Sequence, residues 1–109
     1  MNTLNLLFIC SANRLRSPTA EAIFSEYDDY NAISAGTNVD AETPLSGDLI
    51  EWADVIFVME QSHRKKVAKK FKNLIGDKKL ACLAIPDNYE YMQPELVELL
   101  KVKVPRYLG

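Results

Sequence analysis

A cysteine at the end of an apolar run is followed closely by two arginines in residues 8–18, which read FICSANRLRSP. Cys10 can be a small buried hydrophobe, as free cysteines commonly are. It can instead be a nucleophile, because positive surroundings favour the ionised thiol. The planar guanidinium of Arg16 matches two oxygens of a phosphate group. The pattern therefore predicts phosphate chemistry, provided that a strand precedes this segment and a helix follows it.

The segments on either side of the cysteine have the patterns of a strand and of a helix. Residues 4–9, LNLLFI, are almost wholly apolar, which is typical of a central parallel strand. Ser17 is the predicted N-cap and Pro18 the first helical residue, and apolar side chains recur at helical spacing from Ala20 to Tyr27. The loop between them would turn its N–H groups toward an anion, and Ser17 can donate toward the sulfur. The predicted phosphate-binding residues are Ser11, Ala12, Asn13, Arg14, Leu15, Arg16 and Ser17.

Strand and helix patterns alternate along the rest of the chain. Three further strands are predicted over residues 32–34, 54–59 and 80–85, and three further helices over 44–52, 61–74 and 94–102. This order predicts a four-stranded parallel sheet with helices on both faces and right-handed crossovers. We expect residues 1–109 to form a single α/β domain, and its ligand site to lie where strands end and helices begin.

The composition excludes several classes of protein. The 109 residues include 13 basic and 15 acidic side chains, a balance that predicts neither nucleic acid nor membrane as a partner. No apolar run approaches the roughly 18 residues of a membrane span, and no signal peptide is recognisable. Cys10 and Cys82 form neither a disulfide framework nor a metal cluster. We therefore expect a cytoplasmic protein with reduced thiols, without metal or cofactor, and Cys82 as a buried strand residue.

The stretch LLFICSANRLRSPTAEAIF closely resembles the first motif of the low-molecular-weight protein tyrosine phosphatases. SAGT at 34–37 and ADVIFVM at 53–59 resemble two further landmarks of that family, in the same order. The resemblance implies a flavodoxin-like, phosphotyrosine phosphatase I-like three-layer sandwich. It also implies that Cys10 attacks phosphorus, that Arg16 and the loop amides stabilise the transition state, and that water hydrolyses the resulting cysteinyl-phosphate.

The resemblance implies a general acid after the fourth strand as well. The family has an Asp-Pro-aromatic loop there, and this chain has AIPDNYEYM. Asp87 is the matching residue, with Asn88 in place of the proline and Tyr89 as the aromatic residue. Pro86, Asp87 and Asn88 also favour an ordinary turn, which is the alternative interpretation.

Three departures from the family pattern concern the pocket. Leu15 stands where the family usually has a second cysteine. Arg14 replaces a neutral residue, and it either adds positive potential at the pocket mouth or is a solvated charge. Residues 38–52 are shorter than the family segment that carries a substrate-lining aromatic residue. Candidates to replace that wall are Tyr89, Tyr91 and Trp52, each of which can also be a packing residue.

The helix predicted from residue 61 carries a concentration of positive charge. Six of the 13 basic residues fall between Arg64 and Lys72, opposite Val67 and Phe71. A solvated helix face is the default interpretation, and contact with an acidic partner is the alternative. His63, the only histidine, is predicted to occupy a solvated position at the start of the same helix.

The predicted function is a metal-independent phosphomonoester hydrolase with a cysteinyl-phosphate intermediate. Its expected substrates are phosphorylated proteins, above all phosphotyrosine proteins, or small aryl phosphates. The alternatives are a phosphate-transfer carrier, a non-catalytic phosphoprotein-binding module and an arsenate reductase-like enzyme. Arg16 and Asp87 favour hydrolysis over a carrier, and Cys82 is the single remaining cysteine for a reductase relay.

Overall fold

The four strands form one parallel sheet in the order β2-β1-β3-β4. A computed structural model describes residues 3–108 of the chain. The register places Cys10 beside Gly36 and Ile9 beside Val58, so the ends of the first three strands meet at one edge. The strands are β1 (Leu4–Cys10), β2 (Tyr30–Gly36), β3 (Val55–Val58) and β4 (Lys79–Cys82).

Helices cover both faces of this sheet, which confirms the predicted three-layer α/β fold. The helices are α1 (Arg16–Phe24), α2 (Gly47–Trp52), α3 (Gln61–Ile75) and α4 (Pro94–Lys103), followed by a short 3₁₀ helix (Val104–Tyr107). Buried residues of α1 and α4 pack on one face, and buried residues of α2 and α3 pack on the other. None of these helices, within residues 3–108, has the length and apolar character needed to cross a bilayer.

Alternate side chains of β1 supply the two halves of the core. Phe8 lies on the α1 side, where its ring stacks on Phe24 at 5.6 Å and on Phe57 at 5.1 Å between centroids. Leu7 and Ile9 lie on the α3 side and are fully buried there. A strand buried on both faces needs apolar residues at consecutive positions, which explains the LNLLFI run.

Several element boundaries differ from the prediction. Helix α1 begins at Arg16, and its N-cap is Leu15, whose apolar side chain cannot accept a hydrogen bond. Ser17, the predicted N-cap, lies inside the helix, and its hydroxyl is engaged by Cys10 and Asn13. Helix α2 begins only at Gly47, after Ser46 accepts a hydrogen bond from the Leu49 N–H. Pro44 instead forms an isolated bridge to Gly36. Strand β4 ends at residue 82, and α1 ends at residue 24, before Tyr27.

Candidate functional site

Residues 11–15, which we call the cysteine loop, lie at the carboxyl edge of the sheet, beside the point where the strand order reverses. The chain passes from β1 outward to β2 and then returns to β3 on the other side of β1. Helices after β1 and β3 therefore cover opposite faces, and a crevice opens between these strand ends. Cys10 is the last residue of β1 and Arg16 the first of α1, so residues 11–15 cross this crevice.

A second loop holds the carbonyl groups of the cysteine loop away from the crevice. The carbonyls of Cys10, Ser11 and Ala12 accept hydrogen bonds of 2.9, 3.0 and 3.1 Å from the N–H groups of residues 37, 38 and 42, respectively. Within residues 3–108, the N–H groups of residues 11–17 donate to no backbone or side-chain acceptor. The loop therefore offers a set of free donors at the N-terminus of α1, which is the arrangement that binds oxyanions without metal.

Gly36 makes this loop geometry sterically possible. A Cβ atom at this position would lie 2.5 Å from the Ser11 carbonyl oxygen and 3.1 Å from the Asn13 nitrogen. Asn13 itself has a φ of 58°, a left-handed conformation that asparagine adopts more readily than most residues. The glycine of the SAGT segment therefore allows β2 to approach the loop backbone closely.

Cys10 is almost fully buried, and its sulfur contacts the Ser17 hydroxyl. The Sγ–Oγ distance is 2.9 Å, and Ser17 Oγ also lies 2.9 Å from Asn13 Oδ1. A hydroxyl has one proton, so it can donate either to the sulfur or to the amide oxygen. Ser17 is therefore the side-chain hydroxyl placed beside the Cys10 sulfur.

Arg16 contacts three groups from two segments of the chain and is only 2% exposed. Its Nη1 lies 2.6 Å from Glu60 Oε2, just after β3, and 2.7 Å from the carbonyl oxygen of Ile85, after β4. Its Nε lies 3.7 Å from Asp87 Oδ1. A buried guanidinium with partners on several sides has one orientation, and this pre-organises its remaining donors for a ligand. No sequence pattern marks Glu60 for this role, because the contact joins residues that are 44 positions apart.

The three predicted catalytic residues line one cavity of about 200 Å³. Asp87 stands at its rim with a side chain that is 65% exposed. Arg14 is also at the rim, with 63% of its side chain exposed and a 3.9 Å ion pair to Glu42. Asn13 and Ser17 do not line the cavity with their side chains, since they bond to each other behind the loop. The complete lining is Cys10, Ser11, Ala12, Arg14, Leu15, Arg16 and Asp87.

The predicted aromatic wall is not formed as expected. Trp52 ends α2 before β3, and its carbonyl accepts a hydrogen bond from Asn5 at the start of β1, so it lies at the opposite edge of the sheet. That prediction is wrong. Tyr89 packs against the α1–α4 core and does not line the cavity. Tyr91 is 53% exposed and lines a neighbouring groove together with Arg14. Of the three candidates, Tyr91 is therefore the one placed to contact a group that leaves the cavity.

His63 belongs to the site, and its predicted solvated position is wrong. The side chain is 1% exposed, and its Nε2 lies 2.8 Å from Ser11 Oγ. Its Nδ1 accepts the Glu60 N–H at 3.2 Å, so the ring proton is on Nε2 and is donated to Ser11. Burial, followed by the positive charge of Arg16, lowers the pKa of His63 below its usual 6.5. The only sequence signal was its position three residues after the helix N-cap.

Replacing His63 by asparagine is expected to remove a pH-dependent part of the stability. Asparagine can still accept the Glu60 N–H but cannot reach Ser11, and it does not titrate. Since the folded-state pKa of His63 is lowered, its contribution is complete above pH 6.5 and is lost as the pH falls through that lowered value. At pH 7.5 we expect the free energy of unfolding to be about 1 kcal/mol higher for wild type than for His63→Asn, which corresponds to a difference of roughly 4–8 °C in Tm.

Thermal unfolding of both proteins at pH 7.5 and at pH 5 tests this expectation. The gap in Tm should narrow at pH 5, because below pH 6.5 the unfolded chain takes up a proton on His63 that the folded protein, with its lowered pKa, binds less readily. His63→Gln is the matched control, since its amide can still donate to Ser11 but does not titrate. A gap that is equal at the two pH values would show that imidazole titration contributes nothing to stability.

Comparisons with known proteins agree with this geometry. A family model described as low molecular weight phosphotyrosine protein phosphatase matches residues 5–46, which contain β1, the cysteine loop, α1 and β2. No curated protein sequence matches the chain. Together with the structural likeness described next, the family match confirms the predicted resemblance to the low-molecular-weight tyrosine phosphatases.

Solved structures of bacterial phosphatases share the fold over nearly the whole chain. Vibrio vulnificus Wzb in complex with benzylphosphonate is 19% identical, with a TM-score of 0.76 over 97% of this chain and 97% of that one. The Escherichia coli K30 tyrosine phosphatase Wzb in complex with phosphate is 21% identical, with a TM-score of 0.73 over 96% of each chain. The YwlE arginine phosphatase from Geobacillus stearothermophilus is 19% identical, with a TM-score of 0.72 over 96% of this chain and 92% of that one.

Proposed function

We propose that this chain, which resembles the low-molecular-weight tyrosine phosphatases over residues 5–46 and in its fold, is a metal-independent cysteine phosphatase. One observation carries the proposal. The Cys10 sulfur shares a cavity with Arg16 and with a loop whose N–H groups are free to bind an oxyanion. A nucleophile and a phosphate site in one small cavity are what phosphoryl transfer needs, since the chemistry depends mostly on positioning and charge.

The proposed reaction has two steps. In the first, the Cys10 thiolate forms a bond to phosphorus while the bond to the leaving oxygen breaks, and Asp87 gives that oxygen a proton. Arg16 and the N–H groups of residues 11–17 stabilise the charge on the three equatorial oxygens. In the second, Asp87 takes a proton from water, which attacks phosphorus and releases inorganic phosphate and the thiolate. The structure supports this sequence because Cys10 lies inside the cavity and Asp87 at its rim.

The alternative functions use less of the observed site. A phosphate carrier or a phosphoprotein-binding module needs the loop but not a carboxyl group at its rim. An arsenate reductase-like relay needs a second thiol that can reach Cys10. Cys82 packs with the α2–α3 side of the core, whereas Cys10 packs with the α1–α4 side, so the sheet separates the two sulfurs. Hydrolysis is therefore the function that uses Arg16, Asp87 and Cys10 together.

We propose phosphotyrosyl proteins as the substrate class. The loop cavity of about 200 Å³ can take a phosphoryl group, and a ring leaving it would pass Arg14 and the exposed Tyr91. Phosphoarginyl proteins are a second candidate, because no aromatic residue within residues 3–108 lines the cavity itself. An aromatic ring would therefore find its stacking partner only outside, at Tyr91.

Turnover of p-nitrophenyl phosphate in the presence of EDTA tests the proposed activity. We expect hydrolysis that survives the chelator and is inhibited competitively by inorganic phosphate. Two peptides of identical sequence, carrying phosphotyrosine or phosphoarginine, then test the substrate class, and we expect a higher kcat/KM for phosphotyrosine. Folded protein without turnover of any of these compounds would favour the carrier or the binding module. Higher kcat/KM for phosphoarginine would reassign the substrate.

A further inference from the structure

Helix α3 concentrates positive charge in an otherwise acidic protein. Its 15 residues contain six of the 13 basic side chains and none of the 15 acidic ones. The rest of the chain therefore has seven basic and fifteen acidic residues, a net charge of −8 against +6 on the helix. All six basic residues of α3 are exposed to solvent. This is a strong separation of charge within a small domain.

Five exposed lysines of α3 make up what we call the basic face: Lys65, Lys66, Lys69, Lys70 and Lys72. Residues 65 and 69 are spaced i, i+4 in one row, residues 66 and 70 form an adjacent row, and Lys72 follows a kink of the helix at Phe71. The opposite side of the helix packs into the core through Val67 and Ile75. Within residues 3–108, none of the five lysines forms an ion pair. Like charges at this spacing repel each other, so the isolated protein gains nothing from these rows.

The basic face begins beside the cavity. Glu60, the N-cap of α3, binds Arg16, and His63 in the first turn of the helix binds Ser11 of the cysteine loop. Lys66 is close enough to His63 for its charge to contribute to the lowered pKa of the imidazole. From there the helix runs away from the site for about 15 Å to its kink at Phe71, given a rise of about 1.5 Å per residue over residues 61–70. An extended peptide would need roughly five residues to cover that length, at about 3.3 Å per residue.

We propose that the basic face of α3 docks an acidic segment of the phosphoprotein substrate, next to the phosphorylated residue. This inference rests on the proposed phosphatase function. A short acidic peptide can contact α3 alone, whereas an extended anionic surface, such as a membrane or a nucleic acid duplex, would also face the net charge of −8 on the rest of the protein. Charge and size together therefore favour a peptide. Docking of this kind lowers KM for acidic substrates and leaves the chemical step unchanged.

Phosphotyrosyl peptides with five flanking glutamates or five flanking glutamines test the docking. The flank is placed on the N-terminal side in one pair and on the C-terminal side in the other. At low ionic strength, we expect that in one of the two pairs kcat/KM is about tenfold higher for the glutamate peptide than for the glutamine peptide. The difference should come from a lower KM, with kcat unchanged. In about 0.5 M NaCl this preference should largely disappear, because salt screens exposed charges. The double variant Lys65→Glu, Lys69→Glu should abolish the preference and retain wild-type turnover of p-nitrophenyl phosphate.

Lys101→Glu with Arg106→Glu is the matched control, since it changes the net charge equally but at exposed positions on the α4 side. It should keep the peptide preference. If p-nitrophenyl phosphate is still hydrolysed, either of two results would overturn the docking inference. One is equal kcat/KM for all four peptides, and the other is an equal loss of the peptide preference in both double variants. Anionic vesicles or duplex DNA that bind α3 more tightly than the acidic peptides would overturn it too. Absence of any turnover would overturn the proposed function, and the docking inference with it.

Discussion

Replacing Cys10 by serine is expected to abolish turnover of p-nitrophenyl phosphate, by at least about 10⁴-fold in kcat. The serine hydroxyl fits the space of the thiol but is a far weaker nucleophile, because it is not ionised near neutral pH. The anion site should survive the change. Arg16 is held by Glu60 and Ile85, and the loop carbonyls are held by residues 37, 38 and 42, so neither depends on the sulfur. We therefore expect loss of chemistry without loss of phosphate binding.

Two measurements separate chemistry from binding in this variant. Steady-state kinetics reports turnover, and the rise in Tm with added inorganic phosphate reports binding, since a ligand of the folded state stabilises it. Loss of the negative sulfur should leave phosphate affinity equal or higher. Cys82→Ala is the control for general effects of thiol removal, and it should retain turnover because that side chain packs on the other face of the sheet. Substantial turnover by Cys10→Ser would exclude a cysteinyl-phosphate intermediate.

The parts of the site that could be predicted from sequence are those fixed by local order along the chain. A strand that ends in Cys10 and a helix that starts near Arg16 determine the loop between them. The carboxyl ends of parallel strands meet at one edge, which also brings Asp87 toward Cys10. The same rule places Trp52 at the wrong edge, because it precedes β3 and does not follow it. Topology alone therefore places Trp52 away from the site.

The parts that could not be predicted depend on contacts between distant segments. Glu60 and His63 reach the loop from the start of α3, across separations of 44 and 52 residues. A histidine beside several lysines has the composition of a solvated helix face, and only the packing of α3 shows that this one position turns inward. The start of α1 shows the same limit. Ser17 has the residue type of an N-cap, but its hydroxyl is used by Cys10 and Asn13 inside the site.

Replacing Asp87 by asparagine is expected to lower kcat/KM, and to lower it more for substrates whose leaving group is more basic. For phosphotyrosyl peptides and phenyl phosphate, loss of a general acid should cost about 10²–10³-fold. For 2,4-dinitrophenyl phosphate, whose leaving oxygen is stable as an anion, the loss should be about tenfold at most. We use kcat/KM because it reports the step in which the leaving group departs. A plot of log kcat/KM against the pKa of the leaving group should therefore have a steeper slope for the variant than for wild type.

Two controls distinguish proton transfer by Asp87 from a purely electrostatic effect of its charge: phosphate inhibition of Asp87→Asn, and the variant of a neighbouring acidic residue. Asp87 Oδ1 lies 3.7 Å from Arg16 Nε, so the asparagine variant removes a negative charge that competes with phosphate for the guanidinium. We therefore expect phosphate to inhibit Asp87→Asn at least as strongly as wild type. Glu90→Gln, which removes an exposed charge three residues further along the same segment, should leave both the rates and the slope unchanged. A loss of rate that is equal for all leaving groups would mean that Asp87 acts through Arg16 and does not transfer the proton.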